Sequence, residues 1–151
     1  MKGSVLVLGA GISGIQASLD LADSGFKVFL VDNQPSIGGT MPQLDKTFPT
    51  NDCSMCILSP KLVGTGRHPN IEIIGNANVT GFSGVPGDFN IKLVKRPRYV
   101  NPEKCNGCGD CSRECPIKAV DAFNRNLTKK SSIGVMYPQA VPLVYLSLIH
   151  I

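Results

Sequence analysis

Cys105, Cys108, Cys111 and Cys115-Pro116 form a C-x2-C-x2-C-x3-C-P run. Thiolates spaced this closely fold a loop around one [4Fe-4S] cubane, so that three of them reach three irons. In two-cluster ferredoxins the fourth cysteine of such a run serves the other cluster, which leaves Cys115 open to ligating a different cluster from Cys105, Cys108 and Cys111. Zinc is the competing chemistry, yet structural zinc sites usually pair two knuckles or add histidine, and neither His68 nor His150 is suitably spaced. Gly107 and Gly109 keep side chains away from the inorganic sulfides, or serve simply to turn the chain.

A second C-x2-C, Cys53-Ser54-Met55-Cys56, admits three readings. It is a dithiol exchanging electrons with a flavin, half of a second cluster site that Cys115 or another residue completes, or two buried apolar thiols. Further upstream, Gly9-Ala10-Gly11-Ile12-Ser13-Gly14 is a G-x-G-x-x-G string. Gly9 permits a tight turn, Gly11 lets a pyrophosphate approach the backbone, and Gly14 lets a helix pack closely on a strand. The helix N-terminus then offers free N–H groups and a positive dipole end to the diphosphate. Asp32, 21 residues after Gly11, is placed to accept hydrogen bonds from an adenosine ribose. The alternative is glycines that serve only a turn, and the fingerprint alone does not separate FAD from NAD(P).

These residues need elements to hold them. Ser4 to Leu8 is a short apolar run bounded by glycines, the mark of a strand buried on both faces, and Ser13 to Ser24 carries apolar residues at helical spacing. Gly25 caps that helix, and Phe26 to Val31 repeats the buried-strand pattern, which completes a βαβ unit. Residues 33–56 are rich in Pro and Gly and read as a long functional loop. A short helix is predicted over Ile57 to Val63. Ile71 to Val79 and Phe89 to Val94 are predicted as two strands of a hairpin turning through Gly84-Val85-Pro86-Gly87. A boundary at Arg96-Pro97 to Asn101-Pro102 precedes a compact cysteine segment from Glu103 to about Phe123, and the last predicted strand lies within Val141 to Ile149.

With 151 residues, 42% hydrophobic and 17% charged, the chain can bury a core and is far from disordered composition. No apolar run approaches the roughly 20 residues of a membrane span. The net charge of +4 is modest, and its one basic cluster, Lys92, Lys95, Arg96, Arg98 and Lys104, is too short to argue for nucleic acid. Those cations are either a solvated strand face or a positive field that eases reduction of the adjoining cluster. Glycine turns and Asp20 interrupt the region where a secretory signal would lie, so a reducing cytoplasm is the expected compartment.

Taken together, the chain resembles the iron-sulfur flavoprotein subunit of heterodisulfide reductase, the A-type subunit found in methanogens and related anaerobes. The matching stretches are Gly9 to Gly14, Pro35-Ser36-Ile37-Gly38-Gly39-Thr40-Met41, Phe48 to Leu62, Arg96-Pro97-Arg98-Tyr99-Val100, the cluster run and Tyr137-Pro138-Gln139-Ala140-Val141-Pro142. The resemblance implies an α/β fold: a thioredoxin-reductase-like, Rossmann-like FAD domain interrupted by an inserted ferredoxin-like domain. It implies FAD at Gly9, Ala10, Gly11, Ile12, Ser13, Gly14, Asp32 and Asn33, with Gly38, Gly39 and Thr40 close to the flavin nucleotide. It places [4Fe-4S] ligation at Cys105, Cys108, Cys111 and Cys115. In that family the flavin exchanges electron pairs with partner subunits and passes single electrons into clusters. Methanogens split them between ferredoxin and the mixed disulfide of coenzyme M and coenzyme B, which is cleaved on a different subunit. The implied partners are the other subunits of such a complex, an electron-donor subunit of hydrogenase or formate dehydrogenase type, and ferredoxin. Cys53 and Cys56 are also similar to the cysteine pair of glutathione-reductase-like flavoenzymes, but their C-x2-C spacing differs from the C-x4-C of that group, which favours ligation over a redox disulfide.

The expected organisation is a partial FAD-binding domain over 1–98, a ferredoxin-type segment over 99–130 and a connecting segment over 131–145. Residues 146–151, Leu-Ser-Leu-Ile-His-Ile, resemble the translation of a transposon-end sequencing adapter and are expected to be foreign to a longer natural chain. No side chain is expected to act as a catalytic acid or base. The rival functions are a flavin-dependent disulfide reductase using Cys53 and Cys56, and a non-catalytic iron-sulfur scaffold.

Overall fold

The computed structural model describes residues 3–150, so Met1, Lys2 and Ile151 lie outside the described residues. The first apolar run forms strand β1 (Ser4–Leu8), the helical pattern forms α1 (Ile12–Asp23), and the second apolar run forms β2 (Lys27–Val31). Gly25 ends α1 in the left-handed region, at φ 90°, with its N–H on the Ala22 carbonyl and the next N–H, of Phe26, on Leu21. β1 and β2 pair in parallel, and β2 is the middle strand of a three-stranded parallel sheet completed by β3 (Ile71–Ile74).

Between β2 and the next long helix the chain is loop with one 3-10 turn (Met41–Gln43), in keeping with its Pro and Gly content. The helix predicted over Ile57 to Val63 is longer: α2 spans Ser54–Arg67. Its extension follows from Cys53, which caps the helix through a sulfur that accepts the Cys56 N–H at 3.1 Å. Pro60 stands inside it. Leu58 and Leu62, one helical turn apart, are buried against the α1 side, where Ile15 and Ala22 meet Val28 and Leu30 of β2. Fully burying each Leu or Ile contributes about 1.5–3 kcal/mol.

The single strand predicted over Ile71 to Val79 is two. β3 ends at Ile74, and Gly75-Asn76 hands the chain to β4 (Ala77–Val85) in a different sheet. Asn76, at φ 59°, makes the corner: its side-chain amide donates to the Arg96 carbonyl at 3.0 Å, and its backbone carbonyl accepts the Arg96 N–H at 2.8 Å. The hairpin turn itself is where the sequence places it, β4 pairing antiparallel with β5 (Asp88–Lys95).

The cysteine segment has little regular structure. It holds a one-turn helix α3 (Asp110–Arg113) and a small hairpin of β6 (Lys118–Val120) with β7 (Lys129–Ser131). Only the end of the predicted Val141 to Ile149 strand pairs, as β9 (Leu146–Ser147) against β8 (Ile133–Gly134), while Val141 makes an isolated bridge to Ile37. Leu146, the first residue of the suspected adapter stretch, is buried.

Candidate functional site

The glycine turn is built as its residue types demand. Gly9 sits at φ 92°, and its N–H bonds the Val31 carbonyl at the end of β2. A Cβ on Gly14 would overlap the Gly9 carbonyl, so the helix lies directly on the turn. Gly11 behaves differently. Its backbone is extended at φ −73° and a Cβ there would meet nothing within 4 Å. Nothing inside the chain therefore asks for glycine at position 11; the constrained neighbour is Gly39, at φ 62°, where an added Cβ would come 3.0 Å from the Gly11 Cα. Open space over a glycine at an uncapped helix N-terminus is the fit expected for a diphosphate.

Around this turn lie two cavities. One, of about 560 Å³, is lined by Gly9, Gly11, Ile12, Ser13, Gly14, Gly38 and Thr40. The other, of about 340 Å³, is lined by Asp32, Asn33, Gly39 and Thr40 together with Phe123 and Tyr137. Thr40 borders both. Asp32 closes β2 with one carboxylate oxygen accepting the Ala10 N–H at 2.5 Å and the other accepting the Gln34 N–H at 2.7 Å. Each oxygen keeps a lone pair for a ribose hydroxyl. Ala10 differs from its fellow candidates in being fully buried, with its N–H on Asp32 and its carbonyl on the Gly38 N–H at 2.7 Å. It braces the turn and leaves the open positions to its neighbours.

Tyr137 was not among the sequence candidates. Its hydroxyl donates to the Ile37 carbonyl, immediately before Gly38-Gly39, and its ring stacks on Phe123 at 5.6 Å between centroids. Burial pushes this phenol up to about 12. Next to it the Ile37 N–H bonds the Val141 carbonyl at 2.9 Å, so residues 137–141 clamp the glycine-glycine loop from behind. The resemblance over Tyr137 to Pro142 carried this signal, without revealing the clamp.

Cys105, Cys108 and Cys111 come together as the walls of a third cavity, of about 310 Å³, with Val100, Lys104, Gly109 and Tyr145. Burial, and then the nearby Cys105 and Cys108 sulfurs, push the Cys111 thiol up. Among the described residues no three Cys, His, Asp or Glu side chains converge on the position of a single metal ion. Three sulfurs spread around a cavity suit a cubane, which is gripped iron by iron. Gly107 and Gly109 lie at φ 77° and 86°, and added Cβ atoms would crowd Leu143 and Tyr145 at 3.1 and 3.0 Å. The glycines thus let the loop turn and let that later segment close over it. Cys115 does not line the cavity; its thiol donates to the Ile117 carbonyl at 3.4 Å. Cys53 and Cys56 are joined as a disulfide at the start of α2. Of the basic residues, Arg96 donates to the Asn33 carbonyl at 2.6 Å and Arg98 to the Pro35 and Val144 carbonyls.

Comparison with known proteins defines the class. A family described as FAD dependent oxidoreductase matches residues 4–51, and one described as 4Fe-4S binding domain matches residues 98–121. A solved thioredoxin reductase from T. acidophilum shares the fold, with a TM-score of 0.51 and 19% identity over 62% of this chain and 31% of its own. The chain thus joins a Rossmann-like FAD-type domain to a 4Fe-4S ferredoxin-type segment. More particularly, it is 54% identical to an A-type iron-sulfur subunit of the CoB–CoM heterodisulfide reductase of Methanopyrus kandleri, over 93% of this chain and 21% of that protein. It is 53% identical to the A-type subunit of the H2/formate:CoB–CoM heterodisulfide, ferredoxin reductase of Methanococcus maripaludis, over 94% of this chain and 22% of that protein. The chain is a relative of these heterodisulfide reductase subunits, and it spans about a fifth of the length of the curated relatives it matches. No helix among the described residues is long and apolar enough to cross a membrane.

Proposed function

We propose that this chain is an electron-transfer portion of a heterodisulfide-reductase-type complex, in which a dinucleotide cofactor and an iron-sulfur cluster sit side by side. A flavin bound at the glycine turn supplies exchange between paired electrons and the single electrons that a cubane accepts. The chain's own residues do the rest. Gly9, Gly11, Ile12, Ser13 and Gly14 receive the diphosphate, Asp32 with Asn33 the ribose, and Gly38, Gly39 and Thr40 the nucleotide, while Cys105, Cys108 and Cys111 grip the cluster.

One observation carries this reading: the chain leaving the cysteine run returns at Phe123 to wall the Asp32 cavity and to stack on Tyr137, which holds the glycine-glycine loop. Two cofactors joined through so few residues suit electron transfer between them. The names of the relatives, subunits of reductases of H2 or formate, heterodisulfide and ferredoxin, support a multi-subunit complex; within it we propose an electron-donor subunit of hydrogenase or formate dehydrogenase type and ferredoxin as partners, in the cytoplasm. Anaerobic photoreduction of the flavin in the full-length holoprotein, followed by the electron paramagnetic resonance of the cluster, tests the proposal. Reduction of the cluster supports it; a fully reduced flavin beside a cluster that stays oxidised overturns it.

The Cys53–Cys56 disulfide favours a second reading, a flavin-dependent disulfide reductase. Thiol titration of the holoprotein before and after cluster removal separates the two. With the labelled thiols located by peptide mapping, label at Cys53 and Cys56 only once iron is removed assigns them to ligation, whereas label at these two positions on flavin reduction alone assigns them to dithiol exchange.

A further inference from the structure

The basic residues that precede the cysteine run differ in what they touch. Lys92 and Lys95 stand exposed on β5, and Arg96 reaches back to Asn33. Arg98 is half-buried and spans two sites. One guanidinium nitrogen donates to the Pro35 carbonyl, at the start of the segment that leads into Gly38-Gly39. The other donates to the Val144 carbonyl at 3.3 Å. The C=O of Val144 and the N–H of Tyr145 belong to one planar peptide. That N–H donates to the Cys105 sulfur at 3.5 Å.

We propose that Arg98 is a positioning residue: it locks the cysteine loop to the nucleotide-binding unit and, through the Val144–Tyr145 peptide, raises the reduction potential of the cluster held by Cys105, Cys108 and Cys111. This rests on the reading of those cysteines as cluster ligands. A donor on a peptide carbonyl polarises the same peptide's N–H, and hydrogen bonds to cluster sulfurs are a recognised lever on potential. Reduction adds one electron, and so one negative charge, to the cluster. A fixed cation in a partly desolvated position stabilises that extra charge more than it stabilises the oxidised form.

The test is a potentiometric titration of the cluster, followed by electron paramagnetic resonance, in the full-length holoprotein and in R98Q, R98K and K92Q, with iron and FAD per chain measured in each. R98Q is expected to cut the reduced-to-oxidised ratio at fixed poise about tenfold, a shift of ~59 mV to lower potential for one electron. R98K keeps the charge and loses the planar fork, so it is expected to shift less, with faster amide exchange at Tyr145. K92Q removes the same charge from an exposed strand and should match the parent. An R98Q protein with full iron and the parent's potential overturns the proposal. Should R98Q lose its iron, R98K decides, because the parent's potential together with the parent's Tyr145 exchange in R98K likewise overturns it. A parent protein without iron overturns the cluster reading itself, which is a separate outcome.

Discussion

The two halves of the site are held by different physics. The nucleotide-binding unit folds around its own core: Ala10, Ile15, Val28, Leu30, Leu58 and Leu62 are all but fully buried between a parallel sheet and two helices. From residue 78 to residue 131 no residue is buried, so the cysteine segment has no core of its own. It is kept in shape by glycine turns, a one-turn helix, a short hairpin and contacts with residues 143–147. The first region draws its order from apolar packing; the second, with no core, is expected to draw its order from the cluster its cysteines hold, as small metal-binding segments do.

The largest expected effect follows from that contrast. Anaerobic removal of iron should bring amide exchange over residues 103–123 close to unfolded rates while β1 and β2 stay protected, as measured by hydrogen exchange with mass spectrometry. Equal protection loss in both regions would break the comparison. Gly14→Ala should act the other way, costing about 3 kcal/mol in denaturant unfolding of the nucleotide unit through overpacking against Gly9, with FAD content falling and iron content retained. Asp32→Ala leaves the Ala10 and Gln34 N–H groups without their acceptor and should cost about 1–3 kcal/mol as well as weakening FAD binding, read by flavin fluorescence.

Tyr137→Phe is expected to be the mildest, at about 1 kcal/mol for one lost hydrogen bond. It also carries a pH signature. The unfolded chain releases this phenolic proton near 10 and the folded chain holds it to about 12. The folded state therefore binds more protons in that window, and its stability, full below pH about 10, falls as pH rises to about 12. Tyr137→Phe should flatten that part of a stability-against-pH curve, and an unchanged slope would show that Tyr137 is not its source.

What was legible in the sequence was local. The βαβ unit and the cluster run are patterns of spacing, so Gly9 to Gly14, Asp32 and Cys105 to Cys111 could be picked out before any fold was known. The split of Ile71 to Val79 was hidden because the handover at Gly75-Asn76 depends on a partner, Arg96, that lies 20 residues away. The length of α2 turned on a sulfur cap that propensity does not anticipate. Arg98 stood in the basic cluster and Tyr137 in a matching stretch, but what they and Tyr145 touch escaped for one common reason. Arg98 and Tyr137 act on main-chain carbonyls and Tyr145 through its backbone N–H, and such partners leave no mark in residue type or spacing.

On the function proposed above, a flavin nucleotide and an iron-sulfur cubane share this chain as neighbours. An anaerobic count of iron, sulfide and FAD per chain in the full-length gene product tests it most directly. One FAD is expected, with iron and sulfide in equal amounts, four of each for every cluster; a protein free of iron and flavin when purified without oxygen would overturn the proposal.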